Sequence, residues 1–199
     1  MPHVSPRRLT PRPGNAMRGV REFIQQWDEP EVTDTPLRPY SRRSPFGNLN
    51  SSGEPGCEEA LVLTMRDRSF AGVLEDGVRD LVVAFACRRG WITYTSCEGH
   101  EYPGTGREPV ERHVGLLPRN ATEWFAIRKY LEDACQWSSS QGAGSTVEYA
   151  LMEQTLIDGI EAFPVIDIYF AVRQGEHWAD YFSSLPARYD QFVDHVSAP

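Results

Sequence analysis

The segment Thr95-Ser96-Cys97-Glu98-Gly99-His100-Glu101 is the least generic stretch of the chain. It sets a thiol and an imidazole three residues apart, so the two can converge if the backbone turns between them. Gly99 permits such a turn, or a close approach of a ligand to the main chain. Three chemistries fit these residue types. Cys97 can be a nucleophile whose ionisation is set by His100 or His113, since a thiolate beside an imidazolium is activated. Cys97, His100 and His113 can instead bind a metal such as zinc, as three protein ligands with one position open. Glu98, Glu101 or Asp167 would then serve as general base. In the third reading the loop binds a ligand through backbone amides and the Ser96 hydroxyl. The plainest alternative is a buried strand-end thiol next to a surface histidine.

Other polar residues can join this site. Asp167 lies inside Val165-Ile166-Asp167-Ile168-Tyr169-Phe170, where Ile166, Ile168 and Phe170 must share one face. Asp167 and Tyr169 then share the other face. A carboxylate within an otherwise apolar strand is costly unless it is paired, so Asp167 faces a groove or serves a site. In the second case it is an orienting carboxylate for the Cys97 loop, with Tyr169 beside it. Arg119, at a helix start, could bind an anion together with free backbone amides. Glu98, Glu101, Glu108 and Glu111 make the loop acidic, which favours a cation or a basic partner near it.

A strand that follows Gly90-Trp91 and leads into Ser96-Cys97-Glu98-Gly99-His100 resembles a motif of small bacterial proteins. It also resembles, distantly, the Ser-Ser-Cys-Ser-Gly-Arg motif of the tRNA wybutosine-synthesis methyltransferase family that acts at the third step. That resemblance rests on Ser96, Cys97 and Gly99. It implies a shared local architecture, and the family's chemistry is S-adenosylmethionine-dependent methyl transfer to a modified guanosine in tRNA. Here Thr95 stands for the first Ser, Glu98 for the second and His100 for the Arg. The last exchange removes a permanent cation that could meet phosphate.

These residues need elements to hold them. Phe70, Val73, Leu74, Val78, Leu81, Val82 and Phe85 recur at helical spacing, which predicts one helix over 70–89. Ser69 is its expected N-cap and Gly90 its stop. Strands are predicted over 91–96 and 113–117, paired, with the 97–112 loop at one end of the sheet. Asn120 and Glu123 form a capping-box-like start for a helix to about Trp137. Two further strands, 146–157 and 163–172, are joined by a turn at Asp158-Gly159. A helix over 177–196 is expected to break at Pro186, and another strand is expected over 60–65. This order predicts an α+β fold, a largely antiparallel sheet covered by helices.

The whole chain sets the outer bounds. Its 199 residues allow one domain plus a tail. Residues 1–55 hold nine of the 15 prolines and eight arginines against six acids, a net of +2. Residues 56–199 carry 12 basic and 22 acidic residues, a net of -10. The first piece reads as a proline-rich, partly disordered arm with a short amphipathic helix over 16–27. The second reads as a single domain large enough to bury a core. Its acidity argues against nucleic-acid binding by the domain. No apolar run approaches the roughly 18 residues a membrane span needs. The four scattered cysteines, 57, 87, 97 and 135, form no CxxC pair and fit a cytoplasmic protein. The expected function is a ligand-binding or catalytic pocket at the Cys97–His113 loop, acting on a small-molecule or nucleotide-like substrate. The alternatives are a non-catalytic subunit that docks on a protein partner through its arm, and a methyltransferase-like RNA-modification protein.

Overall fold

The computed structural model describes residues 6–9, 17, 19–29, 43–44, 47–48, 64–67, 70–142 and 144–198. A five-stranded mixed sheet, mostly antiparallel, is covered by helices, so the expected α+β class holds. In chain order the strands are β1 (Arg7–Arg8), β2 (Arg43–Ser44), β3 (Gly47–Asn48), β4 (Ile92–Cys97), β5 (Arg112–Leu117), β6 (Val147–Asp158) and β7 (Glu161–Val172). The sheet order is β1-β6-β7-β5-β4, while β2 and β3 form a separate two-stranded ladder. β1 runs parallel to β6, and the other neighbours are antiparallel. The β6–β7 hairpin turns through Gly159 at φ 60, where the sequence expects it.

The helices are α1 (Val20–Asp28), α2 (Phe70–Val73), α3 (Asp76–Val83), α4 (Ala121–Gln141) and α5 (Trp178–Ser197). Strand alternation sends Val114, Leu116, Ile166, Ile168 and Phe170 into one core shared with Leu81, Phe85, Ile127, Leu131, Tyr181 and Phe192 from the helices. Val20, Phe23 and Trp27 of α1 are part of that same core. On the opposite face Tyr169 and Ala171 cluster with Ala150, Met152 and Leu9.

Three local outcomes differ from the sequence expectation. The helix predicted over 70–89 is interrupted at Leu74–Glu75, with Glu75 extended at ψ 142 before α3 resumes. It then passes into a π turn, Ala84–Arg88. Tyr189 Oη accepts the Leu81 N–H at 3.0 Å, so a side chain enters the helical ladder just before that turn. Gly90, at φ 70, stops the helix as expected. α5 runs unbroken through Pro186 rather than breaking there, and Leu185 and Tyr189 on either side of it both lie in the core. Residues 60–63 of the strand expected over 60–65, and the expected cap Ser69, lie outside the described residues. Thr64 to Asp67 forms a turn in which the Thr64 N–H donates to Asp67 Oδ2 at 2.7 Å.

Candidate functional site

Glu75, Cys97 and His100 converge at one end of the β4–β5 hairpin. One ligand-capable atom from each lies within 4.8 Å of the other two, and all three residues are buried. His100 Nε2 lies 3.1 Å from Glu75 Oε1. The pair is close but not aligned, so this buried nitrogen has no hydrogen-bond partner among the described residues.

The backbone explains the convergence. Cys97 pairs with His113 and His100 bridges Val110, so both belong to one continuous hairpin register. Residues three apart on a regular strand point to opposite faces. Gly99 at φ 83 breaks the alternation and brings Cys97 and His100 to one side. The turn is tight: a Cβ on Gly99 would stand 3.0 Å from Arg112 N and 3.1 Å from Val110 O. Two backbone hydrogen bonds of 2.9 Å between His100 and Val110 hold the far side.

Glu75 arrives from the break between α2 and α3. Its Oε2 accepts the Glu98 N–H at 2.7 Å, and Glu98 Oε2 in turn accepts the Gly77 N–H at 2.8 Å. Each carboxylate is thus fixed by the other segment's backbone, and the Glu98 anion sits on the positive end of α3. Gly77 makes the approach possible, because a Cβ there would lie 2.7 Å from Glu98 Cβ. Arg112 Nε donates to Glu98 O at 2.8 Å and braces the turn from the other strand.

The electrostatics follow from the close approach of the three polar side chains and from their burial. Cys97 first, and Glu75 after it, push the His100 imidazole up to about 10, with burial pulling the other way. Tyr102 packs beside the centre, its ring 6.1 Å from that of His100, and Arg107 lies over it at 4.5 Å. Burial is the main cause that raises the Tyr102 phenol, and the Cys97 and Glu75 charges add to it. A thiol, an imidazole and a carboxylate at this spacing can act as a nucleophile with its base, or as zinc-class ligands.

The other residues singled out from sequence go elsewhere. His113 stacks on Tyr169 at 4.9 Å between ring centroids. Asp167 is buried and accepts from Tyr94 Oη at 2.7 Å and from Gln154 Nε2, while Gln154 Nε2 also donates to Tyr94 Oη at 3.0 Å. This network lies across the bare position of Gly115, where a Cβ would be 2.6 Å from Asp167 Oδ1. Tyr94 is raised well above the usual phenol range, by burial first and the Asp167 charge second. Asp167 and Tyr169 share the face opposite Ile166 and Ile168, as alternation requires, and Asp167 satisfies the pairing rule there rather than at Cys97. Arg119 has its guanidinium on Asp28 at 2.7 Å, Glu123 at 2.8 Å and Gly90 O at 3.0 Å. Its N–H donates to Glu123 Oε2, and Asn120 caps α4 by accepting the Glu123 N–H at 3.0 Å. Ser96 is half-buried opposite Val114.

Glu75 is the site residue that sequence reasoning passes over. It sits 22 positions before Cys97, inside a stretch whose apolar spacing reads as unbroken helix. The one local signal is the Glu75-Asp76-Gly77 run, where Asp-Gly is a helix-breaking pair.

Compared with known proteins, the chain matches no family model, no curated protein and no solved structure. Among the described residues no helix is long and apolar enough to cross a membrane.

Proposed function

We propose that the Glu75–Cys97–His100 centre is the working site of a cytoplasmic protein that binds and transforms a small-molecule or nucleotide-like substrate. The observation that carries this reading is the convergence of three reactive side chains from two separate segments into one buried cluster. A merely structural thiol needs no carboxylate brought to it by breaking a helix. Residues 101–108 on the hairpin loop are exposed apart from Tyr102, and Pro109 and Val110 are half-buried. Cys97 is the nucleophile or ligand atom, His100 its partner, and Glu75 the buried carboxylate beside the imidazole. The alternative of an accessory subunit loses its main support, since Phe23 and Trp27 of α1 are buried in the chain's own core. The trio adds nothing toward methyl transfer to RNA.

The test is a set of variants in the native host, with folding checked by circular dichroism. Cys97→Ala and His100→Ala are expected to abolish the cellular function while leaving the fold intact, and Phe125→Ala on the exposed face of α4 is expected to keep it. Full function in both site variants would refute the reading.

A further inference from the structure

We propose that Glu75, Cys97 and His100 are the protein ligands of a single zinc-class divalent cation, with a fourth position left for water or a ligand. This rests on the reading that the centre is the working site, and it names the cofactor of that site.

The spacing argues for a cation. Zinc bonds of about 2.0–2.3 Å in a tetrahedron place neighbouring ligand atoms roughly 3.3–3.8 Å apart. Three donors that already lie within 4.8 Å of one another close on such a centre with small side-chain movements. A relayed nucleophile works differently. There the sulfur and the orienting carboxylate occupy opposite ring nitrogens, with the whole imidazole between them. Here the Cys97 and Glu75 donors also lie within 4.8 Å of each other, too near for an imidazole to stand between them, so all three donors border a common centre.

His100 supplies the independent observation. Its side chain is 8% exposed, and Nε2 is buried without a hydrogen-bond partner although a carboxylate oxygen is 3.1 Å away. A buried imidazole nitrogen left out of line in this way is the state a metal bond would complete. Glu75 is prepared in the matching sense. Its Oε2 is held by the Glu98 N–H, which leaves Oε1 as the atom facing Nε2. Such an outer hydrogen bond is how proteins orient a ligating carboxylate.

The donor set selects the metal. Thiolate, imidazole and one carboxylate suit zinc and its neighbours, whereas magnesium and calcium take oxygen ligands in larger number. His113 is not among the three residues whose ligand atoms converge, and its ring stacks on Tyr169.

The experiment uses the purified full-length chain, with metal content measured by mass spectrometry and cobalt(II) as a spectroscopic probe. The expected result is close to one equivalent of zinc per chain. The cobalt form should show the visible bands of a tetrahedral site and a thiolate-to-cobalt charge-transfer band. Cys97→Ser should remove the charge-transfer band. The near-isosteric Glu75→Gln, and His100→Ala, should weaken zinc by more than the roughly 10–100-fold that a supporting residue costs. His113→Ala should leave both measurements unchanged. Wild-type protein that is folded yet takes up neither zinc nor cobalt overturns the proposal, and so does stoichiometric metal that persists in Cys97→Ser and His100→Ala. In either case the function reading keeps its own test, since the loss of cellular function in the site variants does not depend on metal content.

Discussion

Gly99 holds a backbone angle that only glycine adopts at little cost, and the whole geometry of the centre turns on it. At φ 83 it redirects the hairpin between Cys97 and His100, and a Cβ there would stand 3.0 Å from Arg112 N and 3.1 Å from Val110 O. Gly99→Ala therefore adds two penalties, about 1–2 kcal/mol for a left-handed residue with a Cβ and a contact near 3 Å with backbone that cannot swing away. The expected loss is about 2–3 kcal/mol, read from the urea midpoint, with a drop in zinc affinity as His100 leaves its place. A substitution that alters neither would mean that the turn is not what aligns the pair. The Cys97–Gly99–His100 part of the site was legible in the sequence because its members are neighbours, and a glycine between two reactive residues is itself a signal. Glu75 was not, because the contact that defines it, the Glu98 N–H on its carboxylate, is tertiary. Asp167 shows the converse. Its alternation and its need for a partner could be read, but the partners Tyr94 and Gln154 come from other strands that only register brings to it.

At the scale of elements, the departures from expectation gather where α2 meets α3. Apolar periodicity reports which face is buried, and Phe70, Val78, Leu81, Val82 and Phe85 of that face all lie in the core. It is blind to a short break in the hydrogen-bond ladder, so the interruption at Leu74–Glu75 left no trace in it. The limits of the two long strands are more legible, because period two and the Asp158-Gly159 turn between them mark where each one ends. Two glycines in this region give opposite predictions from the same chemistry. Replacing glycine by alanine within a helix ordinarily stabilises by about 0.8–1 kcal/mol. Gly72→Ala should follow that rule or be neutral, since a Cβ there meets nothing within 4 Å. Gly77→Ala should destabilise despite the propensity gain, since its Cβ would stand 2.7 Å from Glu98 Cβ, close to the Glu98 backbone and unable to swing aside. The shift would also pull Glu98 from the Gly77 N–H and, through the Glu98 N–H, disturb Glu75. Thermal melts of the two variants side by side decide the matter. Equal stabilisation of both would show that the packing of Glu98 on α3 is not tight.

For the whole molecule, the division into a basic arm and an acidic domain describes the charge but not the packing. The charges do meet: Arg7 pairs with Glu148 at 2.7 Å, Arg8 with Glu132 and Glu153, and Arg21 with Glu161. Those pairs are largely exposed, and exposed pairs contribute roughly 0–1 kcal/mol each. The stronger attachment is apolar. Val20 and Trp27 are fully buried, Phe23 nearly so, and Trp27 packs edge-on against Phe70 at 5.8 Å and Phe23 at 6.0 Å. Backbone links add to it, from Leu9 N to Leu151 O at 3.0 Å and from Met17 N to Ile157 O at 3.1 Å. Removing a buried tryptophan side chain costs about 3–5 kcal/mol, several times the contribution of any one surface pair. Trp27→Ala should therefore lower the urea midpoint strongly, as followed by far-ultraviolet circular dichroism. Phe125→Ala, on an exposed site of α4, should stay within about 0.5 kcal/mol of the parent. Deletion of residues 1–28 should destabilise at least as much as Trp27→Ala. Added salt should recover little of the difference between parent and variant, because screening acts on the ion pairs and leaves the buried rings untouched. If the deletion melted with the parent, α1 would be an appended helix and its three apolar residues would be free to engage a partner.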